Sequence, residues 1–257
     1  MEKNNQNLNF IYGKNPVIEA LSTNPKRINK IFFQDKISFD NRLKKIMELA
    51  KGYGILTKFC NLNNFSEEKI AHQGVIATIS PVEYIDFDDF MQNLPKEGFK
   101  KVIILDEVSD PHNFGAIIRT GACAGFDAII VSNHRSAPIT NTVEKVSMGA
   151  VNHIKIVKVN SISAIIDYLK KEDWWIIATE VLAKDNYFDI DYTDMNFALI
   201  MGSEGKGVSK TLLNKADFRV RIPVNFESLN VSNATAVIVY EAVRQIQIKN
   251  SQNVQNS

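Results

Sequence analysis

The chain has 257 residues, of which 45% are hydrophobic and 23% are charged, a composition typical of globular rather than disordered proteins. Its longest apolar runs, such as residues 102–105 and 236–240, are far shorter than the roughly 18 residues of a membrane span. The polar N-terminus shows no export signal. The two cysteines, Cys60 and Cys123, cannot build a disulfide framework. We therefore expect a cytoplasmic protein with no membrane segment.

Positive charge is concentrated near the N-terminus. Residues 1–80 contain 12 Lys and Arg against 7 Asp and Glu, a net charge of +5, whereas residues 81–257 contain 18 against 22, a net charge of −4. This asymmetry predicts a small module that binds phosphate groups, joined to a domain with a different function. A chance fluctuation in surface charge is the alternative. Only 7 basic residues are Arg and 23 are Lys, so each Arg indicates a place that needs a planar guanidinium.

The N-terminal block alternates short strands and helices after its first polar residues. Hydrophobic patterning predicts strands over residues 31–34, 55–59 and 75–79, and helices over residues 39–51 and 66–71. Pro81 ends this block, and the acidic and turn-like residues that follow are typical of a linker. We therefore predict an N-terminal domain over residues 10–82 and a linker over residues 83–98.

The second block is an alternation of apolar strands and helices over residues 99–250. The predicted strands cover residues 101–105, 128–131, 154–157, 174–179, 197–201 and 218–222, and the predicted helices cover residues 114–124, 142–148, 162–171, 208–214 and 232–248. This alternation predicts an α/β fold, a mostly parallel sheet with helices on both faces. Ligands in such folds bind beyond the carboxyl ends of the strands, so the loops after the strands are the candidate sites.

The loop after the first of these strands leads into a helix that Asp110 or Asn113 could cap, with Pro111 in its first turn. Gly115 allows another backbone to approach the helix. Asn113 and Arg119 lie within two turns of each other and are the candidate functional residues. The alternative is a capped helix that carries one surface arginine.

A glycine-rich loop, residues 201–208, follows the strand at 197–201. Gly202 and its neighbouring glycines permit positive φ and expose backbone N–H groups. The loop is not a nucleotide-binding P-loop, because Val208 stands where that motif needs Lys. A plain tight turn is the alternative, but Glu204 between two glycines is an unusual residue for a mere connection.

A third loop leaves the strand at 218–222 and presents Ser228, Asn230, Ser232 and Asn233 before a long helix. A helix cap, for which Ser232 is the candidate, explains one of these four polar residues and not the others. No G-x-G-x-x-G sequence follows the first strand of either block. Its absence argues against a dinucleotide dehydrogenase and against the methyltransferases that use such a loop.

Three motifs in these loops, DPHNFGAIIRT (110–120), MGSEGKG (201–207) and IPVNFESLNVSNA (222–234), resemble the ordered motifs of the SpoU (TrmH) RNA 2′-O-ribose methyltransferases. The resemblance extends through Arg135-Ser-Ala-Pro and covers residues 10–248, since residues 11–21 and 72–77 are similar to the start and end of that family's substrate-binding domain. The chain most resembles the RlmB-type enzymes, which make 2′-O-methylguanosine in 23S rRNA.

This resemblance implies a SPOUT-type knotted α/β catalytic domain, with a deep trefoil knot, and a small N-terminal α/β RNA-binding domain. It implies S-adenosylmethionine as cofactor, held by backbone near Gly202, Ile222 and Leu229, and no metal. It also implies a homodimer with the active site at the interface and ribosomal RNA, either 23S rRNA or a large-subunit precursor, as substrate. The family's catalytic residues correspond here to Asn113, Arg119, Glu204, Ser228 and Asn230.

The reaction implied is methyl transfer to a ribose 2′-hydroxyl, with a guanosine of 23S rRNA as the expected target. Arg119 is then a base or a clamp on phosphate and alkoxide. Because a free guanidinium loses its proton only above about pH 12, the clamp is favoured. Glu204 is expected to orient Arg119 or Asn113. The loop between Pro223 and Ser228 is shorter than in RlmB-type enzymes and lacks their glycine, which leaves its contacts with the cofactor's methionine part open.

Two other functions fit the sequence. A tRNA 2′-O-methyltransferase of the same family would share the motifs, but such enzymes usually carry short basic extensions in place of an N-terminal domain of about 80 residues. An RNA-binding ribosome assembly factor that has lost methylation would fit the basic N-terminal block. The presence of all five catalytic-type residues argues against this second alternative.

Overall fold

The computed structural model describes residues 9–65, 71–133 and 136–255. The chain divides into two compact units, Met1–Glu83 and Tyr84–Ser257. Residues 66–70 of the predicted helix over residues 66–71 lie outside the described residues, as does Arg135. In the described part of the chain, no helix combines the length and apolar character needed to cross a membrane.

The first unit is a four-stranded sheet with two helices. Its strands are β1 (Asn9–Tyr12), β2 (Ile28–Gln34), β3 (Leu56–Cys60) and β4 (Val75–Ile79), its helices are α1 (Lys14–Thr23) and α2 (Asn41–Gly52), and short 3₁₀ turns cover Pro25–Arg27 and Leu62–Phe65. The strand order is β1-β4-β2-β3. β2 and β3 are parallel, whereas β4 is antiparallel to both β1 and β2.

Helices α1 and α2 enclose the core of this unit. They pack Val17, Leu21, Leu43, Ile46 and Ala50 against Ile31, Phe33, Val75 and Ala77 of the sheet. Helix α2 begins at Asn41, two residues after the predicted start, because the Asp40 carboxylate accepts a hydrogen bond from the Leu43 N–H at 2.9 Å and so caps the helix. The patterning did not predict β1 and α1, since β1 has only four residues and Pro16 lies in the first turn of α1.

The second unit is a seven-stranded sheet with helices. Its strands are β5 (Lys101–Asp106), β6 (Ala128–Ser132), β7 (Lys155–Val159), β8 (Trp174–Thr179), β9 (Asp185–Asn186), β10 (Asn196–Gly202) and β11 (Phe218–Arg221). Its helices are α3 (Phe87–Gln92), α4 (Pro111–Cys123), α5 (Asn141–Val146), α6 (Ile162–Lys171), α7 (Lys210–Leu213) and α8 (Val231–Gln255). The strand order is β7-β6-β5-β10-β8-β11-β9, and each of these pairs is parallel. The predicted α/β fold is confirmed, and the trefoil knot stays a prediction.

Part of the predicted linker belongs to the second unit. Residues 87–92 form helix α3, whose Phe87 and Phe90 side chains are buried against the sheet. Ile85 pairs with Val157 as an isolated parallel bridge. The acidic residues between the two phenylalanines made this stretch look like a solvated connection. The apolar pair three positions apart is instead the buried stripe of a short helix.

The central strand β10 positions the candidate site. It lies between β5 and β8, and its last residue, Gly202, pairs in register with Asp106, the last residue of β5. The loops that leave β5 and β10 therefore start side by side at the carboxyl edge of the sheet. β11 pairs with β8 and brings the third loop to the same edge. This is where parallel α/β sheets bind their ligands.

Candidate functional site

The N-terminus of α4 fixes Asn113. The Asp110 carboxylate accepts hydrogen bonds from the backbone N–H groups of His112 and Asn113, at 3.1 and 3.4 Å, and Pro111 is the first helical residue. The helix therefore begins three residues before the predicted position. A Cβ on Gly115 would lie 2.8 Å from the Val146 Cβ, so α4 packs closely on α5. Asn113 is 6% exposed and is held in place by this packing.

The glycine-rich loop after β10 is a tight turn built on close backbone contacts. A Cβ on Gly202 would lie 2.0 Å from the carbonyl carbon of Gly207, and the Gly207 N–H donates to the Ser203 carbonyl at 2.9 Å. Gly205 and Gly207 have φ values of 81° and 66°, which favour glycine. The turn presents Glu204 at the sheet edge.

One hydrogen-bonded network joins the three loops. The Asn113 Nδ2 donates to the Glu204 Oε1 at 2.9 Å, and the Asn230 Nδ2 donates both to the Asn113 Oδ1, at 2.9 Å, and to the same Glu204 oxygen. The Asn230 Oδ1 in turn accepts from the backbone N–H and the hydroxyl of Ser232, at 2.9 and 2.6 Å. The interpretation of Ser232 as the helix cap was wrong. Asn230 directly precedes α8 and its side-chain oxygen accepts a hydrogen bond from the Ser232 N–H in the first turn, so Asn230 is the cap.

A cavity of about 610 Å³ lies beside this network. Its lining includes six of the eight predicted site residues, namely Gly202, Glu204, Ile222, Ser228, Leu229 and Asn230. Asn113 reaches the cavity's edge through its hydrogen bond with Glu204. The three loops thus form one site, as expected for loops at one edge of a parallel sheet.

The cavity fits S-adenosylmethionine by size and by chemistry. Its volume falls in the range of about 300–1,000 Å³ that is usual for small-molecule sites. Apolar side chains of Met201, Val220 and Ile222 offer a surface for a flat base. The lining also holds the carboxylates of Glu180, which pairs with Arg219 at 3.7 Å, and of Glu204. The sequence reasoning missed Glu180, whose only signal was its position directly after strand β8.

Arg119 is not part of the network within one chain. It is exposed and has no hydrogen-bond or ion-pair partner among the described residues. Six helical residues separate it from Asn113, which places it about 9 Å along the helix axis and about 120° around it. Of the two residues that Glu204 was expected to orient, the structure pairs it with Asn113 and not with Arg119.

A larger and more open cavity, of about 820 Å³, lies at the carboxyl ends of β5, β6 and β7. Its lining includes Asp106, Asn133 and Asn160 and none of the predicted site residues. The Ser209 N–H donates to the Asp106 carboxylate at 2.8 Å. The Gly202 turn and the Asn113–Glu204–Asn230 network lie at the smaller cavity, which makes that cavity the candidate site.

Comparison with known proteins identifies the family of the chain. The SpoU rRNA Methylase family matches residues 100–240, and the family described as RNA 2′-O ribose methyltransferase substrate binding matches residues 10–85. The chain belongs to the SpoU family. A Staphylococcus aureus protein assigned by name to the TrmH family of tRNA/rRNA methyltransferases is 38% identical over 239 residues, which cover 91% of this chain and 95% of the relative.

Two solved structures extend this comparison. An AdoMet-bound rRNA methyltransferase from Sinorhizobium meliloti is 26% identical, with a TM-score of 0.76 over 93% of this chain and 87% of its own. A TrmH/SpoU tRNA modifying enzyme from A. aeolicus is 30% identical, with a TM-score of 0.55 over 63% of this chain and 83% of its own. The structural likeness to the first neighbour therefore extends over both units. The second alignment is too short to include both units in full.

Proposed function

We propose that this SpoU-family chain transfers a methyl group from S-adenosylmethionine to a ribose 2′-hydroxyl of RNA, and that its target is a guanosine of 23S rRNA. The observation that carries the proposal is the hydrogen-bonded set Asn113, Glu204 and Asn230 at the edge of the cavity lined by Gly202, Ile222 and Leu229. We accordingly propose that the protein acts in the cytoplasm, where ribosomal RNA is found.

The cavity residues bind and orient the cofactor in this proposal. S-adenosylmethionine, when bound, supplies a methyl group activated by a positively charged sulfur. Backbone groups near Gly202, Ile222 and Leu229 would hold it, and Ser228 would contribute a hydroxyl from the third loop. Lys206, Lys210 and Arg221 also line the cavity, so a favourable place for the positive sulfur is confined to the neighbourhood of the Glu204 carboxylate.

Asn113 and Asn230 hold the acceptor ribose in this mechanism. A ribose 2′-hydroxyl is a weak nucleophile, and alignment with the electrophile alone can contribute about 7–11 kcal/mol of the barrier reduction. Glu204 fixes both amides through hydrogen bonds, and the second N–H of the Asn113 amide, which the network leaves unused, is thereby held in one orientation for the ribose. Arg119 clamps the adjacent phosphate and stabilises the negative charge that develops on the 2′-oxygen as its proton passes to water.

We propose that Arg119 enters the active site of a second copy of the chain, so that the enzyme is a homodimer with the site at its interface. Arg119 is exposed, without a partner among the described residues, and faces away from Asn113 on its own helix. If two chains pair through their α4 helices about a two-fold axis, Arg119 of each chain would reach the Asn113–Glu204–Asn230 network of the other chain.

Mixing two inactive variants tests this arrangement. Arg119→Ala and Glu204→Ala chains that exchange freely form mixed dimers in half of all cases, and each mixed dimer keeps one intact site. The mixture should therefore recover about one quarter of the wild-type rate. No recovery, with exchange verified by mass, would place each site within one chain.

The N-terminal unit is proposed to bind the ribosomal RNA. Support comes from its net positive charge and from the rRNA methyltransferase of S. meliloti, which aligns over 93% of the chain. Mapping 2′-O-methyl groups in ribosomal and transfer RNA, from cells with and without the gene, tests the target. Loss of one methylguanosine in 23S rRNA is expected, whereas a loss confined to tRNA would favour the A. aeolicus type of enzyme.

A further inference from the structure

The loop that carries Ser228, Leu229 and Asn230 also carries a phenylalanine that the proposed mechanism does not use. Phe226 is 87% exposed, although a large apolar side chain gains by burial. It has no aromatic contact among the described residues.

Phe226 is close to the proposed reaction centre. Four residues separate it from Asn230, and a chain of that length spans at most about 14 Å. The Asn230 amide is hydrogen-bonded to Asn113 and Glu204, so its end of the loop is fixed. Phe226 therefore lies within about two nucleotides' length of the 2′-hydroxyl that the site would hold.

Positive charge lines the same cavity. Lys206 and Lys210 are exposed, line the cavity and have no hydrogen-bond or ion-pair partner in the described part of the chain. Arg221 lines it too, with its Nε donating to the Asn186 Oδ1 at 3.3 Å. Phe226 does not line the cavity itself, but the loop that carries it does, through Ser228 and Leu229. Proteins hold single-stranded RNA with exposed aromatic rings that stack on bases and with cations that contact phosphates.

We infer that Phe226 stacks on an unpaired base of the RNA substrate, either the target nucleotide or its neighbour, and so holds the strand at the site. This inference rests on the proposed function, because it assumes that RNA enters the cavity edge. A second copy of the chain or the cofactor itself are the other groups that could cover the ring, and both give different results in the experiment below.

The test compares Phe226 variants with a matched control. Phe226→Trp and Phe226→Tyr keep a ring that can stack, Phe226→Leu keeps only apolar surface, and Phe226→Ala keeps neither. Phe99→Ala is the control, since Phe99 is also exposed, at 53%, but lies two residues before the start of β5, at the opposite edge of the sheet. Binding of an unmodified 23S rRNA transcript is measured with S-adenosylhomocysteine bound, so that no turnover is needed. The affinity for S-adenosylhomocysteine and the mass in solution are measured for every variant.

Phe226→Leu and Phe226→Ala should each weaken RNA binding about tenfold, which corresponds to about 1.4 kcal/mol. The Trp and Tyr variants and the Phe99→Ala control should stay within twofold of wild type, with cofactor affinity and mass unchanged throughout. Wild-type affinity in Phe226→Leu would overturn the inference, as would an equal loss of cofactor affinity or a fall to the monomer mass. If the wild type binds the transcript through Phe226 but methylates no RNA, the base contact stands and the proposed function fails.

Discussion

The side-chain amide of Asn113 donates to the Glu204 carboxylate at 2.9 Å, although 91 residues separate the two along the chain. Asn230 donates to the same oxygen from a third loop. One carboxylate thus holds two amides in fixed orientations, which makes Glu204 a positioning residue rather than an acid or base in the proposed reaction.

This role predicts different outcomes for two Glu204 variants. Glu204→Gln keeps an oxygen that accepts from both amides, so the single-turnover methylation rate should stay within about fivefold of wild type. Glu204→Ala releases both amides and should lower the rate at least tenfold. The control is Glu227→Ala, which removes an exposed carboxylate from the neighbouring loop and should leave the rate unchanged. Equal losses in the Gln and Ala variants would mean that the charge itself is required.

Arg119→Lys should be nearly as damaging as Arg119→Ala. A guanidinium can hold a phosphate or the developing alkoxide through two N–H groups at fixed angles, whereas an ammonium is a point charge. We expect at least a hundredfold lower single-turnover rate with saturating RNA, about 2.7 kcal/mol. Cofactor affinity and thermal stability should not change, because Arg119 is exposed and unpartnered in the described part of the chain. A lysine variant with half the wild-type rate would contradict the clamp.

Gly202→Ala should abolish cofactor binding. The added Cβ would lie 2.0 Å from the Gly207 carbonyl carbon and 2.1 Å from the Val208 nitrogen, and backbone atoms cannot move aside as a flexible side chain can. The turn must open, which displaces Glu204. Calorimetric titration with S-adenosylhomocysteine measures the loss. Gly52→Ala is the control, since its Cβ would meet nothing within 4 Å, and its cofactor affinity should equal that of wild type.

Removal of residues 1–82 should leave a folded protein that binds S-adenosylhomocysteine but has little activity on RNA. Removal of residues 1–90 should leave an unstable one, because it deletes Phe87 and Phe90, and each buried phenylalanine contributes about 3–5 kcal/mol. Thermal unfolding of the two truncations compares their stability. Full activity of the shorter truncation on RNA would show that the N-terminal unit does not recognise the substrate.

The stability contributed by Glu241 on α8 should depend on pH. Its carboxylate accepts two hydrogen bonds from Arg244, at 2.7 and 2.8 Å, and one from Gln245, at 2.8 Å. The Arg244 hydrogen bonds lower the pKa of Glu241 below its usual value, against the effect of burial. Since the folded-state pKa is the lower one, this stabilisation is complete above about pH 4.5 and disappears as the pH falls through the folded-state pKa.

Glu241→Gln should therefore be less stable than wild type at pH 7, by up to about 1 kcal/mol, because the pair is partly exposed to solvent. Unfolding by denaturant at about pH 7 and about pH 3 measures the difference. The difference should be smaller at the lower pH, because more of the Glu241 carboxylate is then protonated. A difference of the same size at both pH values would mean that the glutamine acts through packing and not through charge.

The sequence predicted the second unit's elements better than their arrangement. Strands β5 and β10 are continuous apolar runs, so their positions were apparent. Their pairing was not, because strand order depends on contacts between distant residues and leaves no local pattern. Helix α3 was missed since two phenylalanines among acidic residues give too short a stripe to register as periodic.

For the candidate site too, local features could be predicted from the sequence, whereas contacts between distant residues could not. Glycines and polar residues after strands identified Gly202, Glu204 and Asn230, because loop chemistry is local. The motifs left open whether Glu204 would pair with Asn113 or with Arg119, and they could not show that Arg119 would stay exposed. This outcome follows from the angle between two residues on α4 and from the register of β10 on β5.

The central position of β10 also determines how late during synthesis the sheet of the second unit can be completed. While the protein is being synthesised, β5 and then β8 are complete before their shared neighbour emerges, and each waits with an open edge. From Thr179 to Gly202 the ribosome adds 23 more residues, which takes about 1–5 s at about 5–20 residues per second. Until β10 inserts, the open edges of β5 and β8 can pair with other chains. The nascent protein is therefore most prone to aggregate, and most in need of chaperones, in that interval.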